Sequence, residues 1–157
     1  MKILSIWLLT GLLHAAPLQA DQAPHHHHGD DEVLTMLALN DGAKWPVDTV
    51  LSEAMLRLRA QLLTHLDDIH HKRFTASQYQ QFSQMLQQEV NHIVANCKLT
   101  PEADAQFHLV LAAMMQSQQA MAASELTTQR QGAVKLLRAL QRYSEYFNDD
   151  AFLPITH

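Results

Sequence analysis

A single cysteine, Cys97, occurs in the 157 residues, so no disulfide can close within the chain, and the Cys-x-x-Cys-His attachment of a c-type haem is excluded. Basic residues are few: 11 lysines and arginines stand against 16 aspartates and glutamates, a net charge of −5 with neutral histidines. A chain this acidic has no electrostatic footprint for DNA or RNA, and no nucleic-acid partner is expected. Past the N-terminus, no uninterrupted apolar stretch is long enough to cross a membrane. After residue 48 there are no β-branched, glycine-punctuated runs of strand length. Catalytic signatures are missing too. The chain has no nucleophile elbow, no His-Glu-x-x-His and no glycine-rich phosphate loop, and its core stripes carry no paired carboxylates. No enzyme is expected, and no di-iron bundle.

What is present begins with a secretory pattern. Met1 and Lys2 make a short positive start. Ile3 to Leu13 form an apolar run broken by Ser5, Thr10 and Gly11, and Pro17-Leu18-Gln19-Ala20 puts a small residue where a signal peptidase cuts. The run is too short for a membrane-spanning helix. Residues 1–20 are therefore expected to be a signal peptide, with the mature periplasmic protein beginning at Asp21 and touching a membrane only before cleavage. Loss of Lys2 leaves 10 basic residues against 16 acidic ones, a balance that suits a soluble single domain.

Asp21 to Glu32 shows no apolar periodicity and carries Pro24, His25-His26-His27-His28, Gly29, Asp30 and Asp31. This composition predicts a disordered arm. Four imidazoles and two carboxylates on a flexible chain bind Cu²⁺, Zn²⁺ or Ni²⁺ to some degree, although an incidental low-complexity linker has the same composition. Leu37 and Leu39 alternate with Ala38 and lead into Asn40-Asp41-Gly42. A short extended stretch and a turn are predicted there, laid against one end of the fold and anchored by Trp45. Residues 21–47 thus form a histidine-rich arm and turn segment, and residues 48–157 the folded domain.

That domain reads as four helices. The first runs from Asp48 or Thr49 to about His71, and its apolar positions Leu51, Met55, Leu58, Leu62, Leu66 and Ile69 step by four and three as a bundle seam does. Thr75-x-x-Gln78 is a capping box opening the second helix, which buries Phe82, Leu86, Ile93 and Cys97. Thr100-Pro101-Glu102 starts the third, with threonine as cap, proline in the first turn and acids at the positive end of the dipole. It carries Phe107, Val110, Leu111 and Met114 and ends near Ala123. Thr128-x-x-Gln131 suggests a second capping box, opening a fourth helix that reaches about Phe147 through Leu136, Leu137, Leu140 and Tyr143. Short connections force antiparallel neighbours, so the predicted fold is all-α, an antiparallel up-down-up-down four-helix bundle with an N-terminal extended arm.

Such a bundle brings distant positions to one level. Met55 and His108 lie about two turns into their helices, while His92 and Cys97 lie near the end of theirs; at about 1.5 Å rise per residue the depths agree to within a turn. With Tyr143 or Tyr146 they could converge as a soft-metal set of thioether, imidazole and thiolate. Each residue also has a plain structural reading. Met55 and Cys97 fill seam positions, and His92 sits on a flank. His108 interrupts an apolar helix beside Phe107 and Leu111, where a hydrogen-bonded interfacial histidine is the reading favoured over a ligand. His65, His70 and His71 with Asp67 and Asp68 read as a solvated helix end, since residues one or two apart do not share a face.

In architecture this fold is similar to the periplasmic b-type cytochrome and cytochrome c′ bundles. Met55 stands where the b-type protein offers an axial ligand. That family's second ligand is a histidine late in the last helix, where this chain has Gln141, Arg142, Tyr143 and Tyr146, so the resemblance implies no haem. Nearly the whole mature chain resembles a group of small exported bacterial proteins with a DnrO-like label. The likeness rests on Leu39-Asn40-Asp41-Gly42-Ala43-Lys44-Trp45, on Met55 to Arg59, and above all on Ile93-Val94-Ala95-Asn96-Cys97-Lys98-Leu99-Thr100-Pro101-Glu102-Ala103-Asp104-Ala105. His108, Gly132 to Lys135, Tyr143 and Phe147 complete it. The group has no established activity, so the likeness implies fold and export and carries no mechanism. The functional expectation is a non-enzymatic periplasmic metal-binding protein handling copper or zinc. Its arm would be the capture site and its bundle end a second one. The rival is a structural or adaptor protein that presents a helix face to a periplasmic partner.

Overall fold

The computed structural model describes residues 32–156, so the secretory segment and the candidate ligands His25, His26, His27, His28, Asp30 and Asp31 lie outside the described residues. Four long helices pack against one another as an all-α bundle: α2 (Thr49–His70), α3 (Ala76–Asn96), α4 (Pro101–Met121) and α5 (Leu126–Tyr146). A short helix α1 (Glu32–Thr35) and strand β1 (Trp45–Pro46) precede them, and β2 (Phe147–Asn148) follows. Among the described residues, no helix is long and apolar enough to cross a membrane.

The helix starts follow local chemistry. Asp48 caps α2 by accepting from the Leu51 amide at 2.8 Å. Thr75 and Gln78 close the expected capping box, and Thr100 with Pro101 opens α4. The start of α5 departs from expectation. It begins at Leu126, two residues before Thr128, and its N-cap Glu125 makes no side-chain cap bond. The reason is the brevity of the α4–α5 turn, which the wholly buried Gln129 closes instead by donating from Nε2 to the Ala123 carbonyl at 2.8 Å.

One core runs through the bundle. Leu51, Leu58, Leu62, Leu86, Ile93 and Leu140 are each at most 2% exposed, and Met55 is fully enclosed among them. Helices α4 and α5 approach closely, and Gly132 is what permits it. A Cβ there would stand 2.7 Å from the Met121 amide nitrogen and 2.9 Å from the Ser117 carbonyl oxygen, backbone atoms that cannot yield. Ser117 Oγ uses that proximity to donate to the Gly132 carbonyl at 2.7 Å.

The short helix α1 precedes the stretch Leu37 to Leu39, which lies outside any helix and leads into the expected turn. Leu34 in α1 and Leu37 are buried, whereas Leu39 is 43% exposed, so the two leucines do not share a face. The backbone reverses at once. Asp41 and Gly42 both take positive φ, +49° and +88°, and Asn40 and Ala43 exchange backbone bonds of 2.8 Å, as a tight hairpin turn requires. Trp45 is half-buried and donates from Nε1 to the Ala38 carbonyl at 2.7 Å, which ties the turn together. Strand β1 then pairs in parallel with β2, Trp45 opposite Phe147. Beyond β2 the chain folds back onto the bundle: Phe152 and Ile155 are buried, and Arg59 Nε donates to the Leu153 carbonyl at 2.7 Å.

Candidate functional site

The start of α2, the end of α3 and the segment after α5 meet at one end, and two carboxylates organise it. Asp48 Oδ1 accepts from the Leu51 amide at 2.8 Å and from the Cys97 thiol at 3.6 Å, while Oδ2 accepts from the Lys98 amide at 2.5 Å. Asp149 Oδ1 accepts from Ser52 Oγ at 2.9 Å and the Ala151 amide at 3.2 Å, and its Oδ2 accepts from the Tyr143 hydroxyl at 2.8 Å. Tyr143 is wholly buried, stacked on Phe147 at 5.2 Å between centroids and met edge-on by Phe107 and Phe152.

This arrangement keeps protons on. Burial first, then the charge and hydrogen bond of Asp48, push the Cys97 thiol up to about 12, with the Lys98 amide opposing weakly. Burial, then the hydrogen bond and charge of Asp149, raise the Tyr143 phenol far above its ordinary range. A thiol held this way is neither a nucleophile nor a ready metal ligand at neutral pH.

The expected convergence on this end is not met. Cys97 is half-buried and committed to Asp48, and Met55 is sealed in the core. His92 is exposed on α3, where Asn96 Nδ2 donates to its carbonyl at 2.8 Å and lies 3.3 Å from its Nδ1. His108 is exposed on α4, with Nδ1 2.8 Å from the Asp104 carbonyl and 3.4 Å from that residue's Oδ2. Among the described residues, no group of three or more His, Cys, Asp or Glu could hold a metal ion. Rotation about the helix axis sets which of them reach solvent. Phe107 is buried and the adjacent His108 is turned to solvent, as positions one apart on a helix must diverge.

Glu89 and His92 have a single Glu-x-x-His spacing on α3, but the Glu89 carboxylate is occupied by Arg57 through two bonds of 2.9 Å. The cluster at the far end of α2 is a solvated helix end as expected: Arg73 bridges Asp67 and Asp68, and His71 Nδ1 lies 3.1 Å from Asp67 Oδ1. The residues missed from sequence were Asp48, Ser52 and Asp149. Asp48 was visible as the residue before the first helix, whereas nothing local marks Asp149 as its counterpart across the fold. No family model, curated protein or solved structure matches this chain, so the functional reading rests on its own residues.

Proposed function

We propose that this chain is an exported, periplasmic, non-enzymatic metal-binding protein that captures Cu²⁺ or Zn²⁺ on the arm formed by His25, His26, His27, His28, Asp30 and Asp31. One observation carries the reading: four consecutive imidazoles followed by two carboxylates, just downstream of a secretory pattern. The chemistry of the bundle end is consistent with the arm as principal site, because the Cys97 thiol is held protonated and the two nearby histidines are exposed on different helices. The bundle then serves as a rigid carrier. Its four helices are read as up-down-up-down, an order supported by the pairs Arg57 with Glu89, Ser83 with Gln118, and Ser117 with Gly132. Membership of the DnrO-like group of exported bundles belongs to the same proposal.

A second reading, an adaptor that binds a periplasmic protein, is favoured by the segment after α1. There Met36 is 65% exposed and Leu39 43% exposed on either side of the buried Leu37.

Elemental analysis of untagged protein from its native compartment, followed by calorimetric titration with Cu²⁺ and Zn²⁺, tests the metal reading. Deleting His25 to His28 should remove most of the binding and leave thermal stability unchanged. Binding should also weaken as pH falls through about 6.5, where imidazole protonates. A deletion that titrates like wild type would transfer the lead to the adaptor.

A further inference from the structure

At the opposite end of the bundle, between the α2–α3 turn and the start of α5, lies a cleft of about 380 Å³ walled by Phe74, Leu126 and Val134, with Tyr79, Lys72 and Arg130 among its polar groups beside Thr127 and Gln131. None of the described residues lining it is acidic, which is unusual on a chain of net charge −5. Three features converge on it. First, α5 begins here without a side-chain cap, so the first-turn amides of a 21-residue helix present unpaired N–H groups and the positive end of its dipole. Second, the Tyr79 side chain is 1% exposed and its hydroxyl makes no hydrogen bond. Among the described residues, the fully enclosed side-chain atoms without a partner are Gln116 Oε1 and Gln129 Oε1, so the Tyr79 oxygen is not fully enclosed, and Arg130, which lines the same cleft, acts on it electrostatically. Burial raises the Tyr79 phenol above its ordinary range, partly offset by Arg130, so it keeps its proton and acts as a donor. Third, Arg130 is fixed at the rim, donating from Nε and Nη2 to the Ile69 and His70 carbonyls at 3.2 and 3.3 Å while retaining N–H groups for a ligand. Lys72 stands beside it, its backbone in the left-handed region at φ +58°.

We propose that this cleft binds a carboxylate carried on an apolar body, as in a medium-chain fatty acid or an arylalkanoic acid. The carboxylate sits against the Tyr79 hydroxyl, the α5 N-terminus and the Lys72 and Arg130 charges, and the body lies against Phe74, Leu126 and Val134. The volume is that of ordinary small-molecule sites, and so is the plan of apolar walls with a few convergent polar groups. This site is independent of the arm and of the metal reading.

Calorimetric titration of the mature chain with decanoate, phenylbutyrate, decanol and acetate is the test. At least one of the two acids should bind saturably, and which one binds distinguishes an alkyl from an aryl body. Decanol, which lacks the charge, and acetate, which lacks the body, should each bind at least about tenfold more weakly. Tyr79→Phe should lower the affinity by about tenfold, the usual worth of one hydrogen bond to a charged acceptor, and Lys72→Gln by a smaller factor. Tyr79→Phe keeps the ring that meets Phe74 edge-on at 4.8 Å between centroids. A parallel measurement does not depend on that variant: the bound acid should shift the backbone amide resonances of Leu126 and Thr127 in wild type. Absence of binding by both acids, equal binding of decanol, wild-type affinity in Tyr79→Phe, or resonance shifts confined to other regions would each overturn the proposal.

Discussion

The two ends of the bundle treat their polar groups in opposite ways. At the end built on Asp48 and Asp149, each of these carboxylates accepts from at least three groups or two separate elements, and the neighbouring thiol and phenol serve as donors to them. At the end built on Tyr79, a buried phenol has no partner, a helix starts uncapped, and two cations stand at the rim. Satisfied buried networks hold a fold in one arrangement, whereas an unsatisfied donor in a cleft is a cost that a ligand can remove. The first end therefore reads as a clasp joining three parts of the chain, and the second as a place to bind.

Substitutions at the two ends sharpen that contrast. Asp48→Ala removes the cap of α2 together with the acceptor for Lys98 and Cys97, and should lower stability by about 2–3 kcal/mol in urea titration. A loss below about 0.5 kcal/mol, the usual surface range, would mean that the clasp holds nothing. Tyr143→Phe should cost about 1–2 kcal/mol, because Asp149 loses a donor in a part-buried setting while the ring stack with Phe147 is kept.

The thiol gives a pH signature of smaller size. Cys97 binds its proton more tightly folded than unfolded, so its contribution is fully present below the ordinary thiol range and is lost as pH climbs toward about 12. The urea midpoint of wild type should therefore fall more between pH 8 and pH 10 than that of Cys97→Ala, and identical curves would refute the assignment. Alkylation of folded protein at pH 8 should correspondingly be slow, and faster in Asp48→Asn. The smallest effect belongs to the other end. Tyr79→Phe should change stability by less than about 0.5 kcal/mol, since the hydroxyl makes no bond in the protein. A large loss would erase the contrast between the ends.

Helix boundaries were legible because they are set locally. Thr75 with Gln78, and Thr100 with Pro101, close their own turns within three residues, and the four-and-three stepping of Leu51, Met55, Leu58 and Leu62 commits one face to the core. The α5 start was misread because its turn is closed by Gln129 reaching back to Ala123, a buried bond that competes with the capping pattern at Thr128.

The sequence by itself determined the helical class, the caps of α2, α3 and α4, the seam of α2 and the turn at Asn40-Asp41-Gly42, because each depends on side chains within a few positions of one another. Only the tertiary structure decided which way His108 and Cys97 face, that Asp48 and Asp149 anchor one end, and that Tyr79 lines a cationic cleft at the other. Depth along a helix follows from counting residues, but rotation about its axis follows from which neighbours pack. A shift of one position swings a side chain from core to solvent, and the contacts that choose between those outcomes join Asp48 to Cys97 and Ser52 to Asp149, 49 and 97 residues apart in the chain.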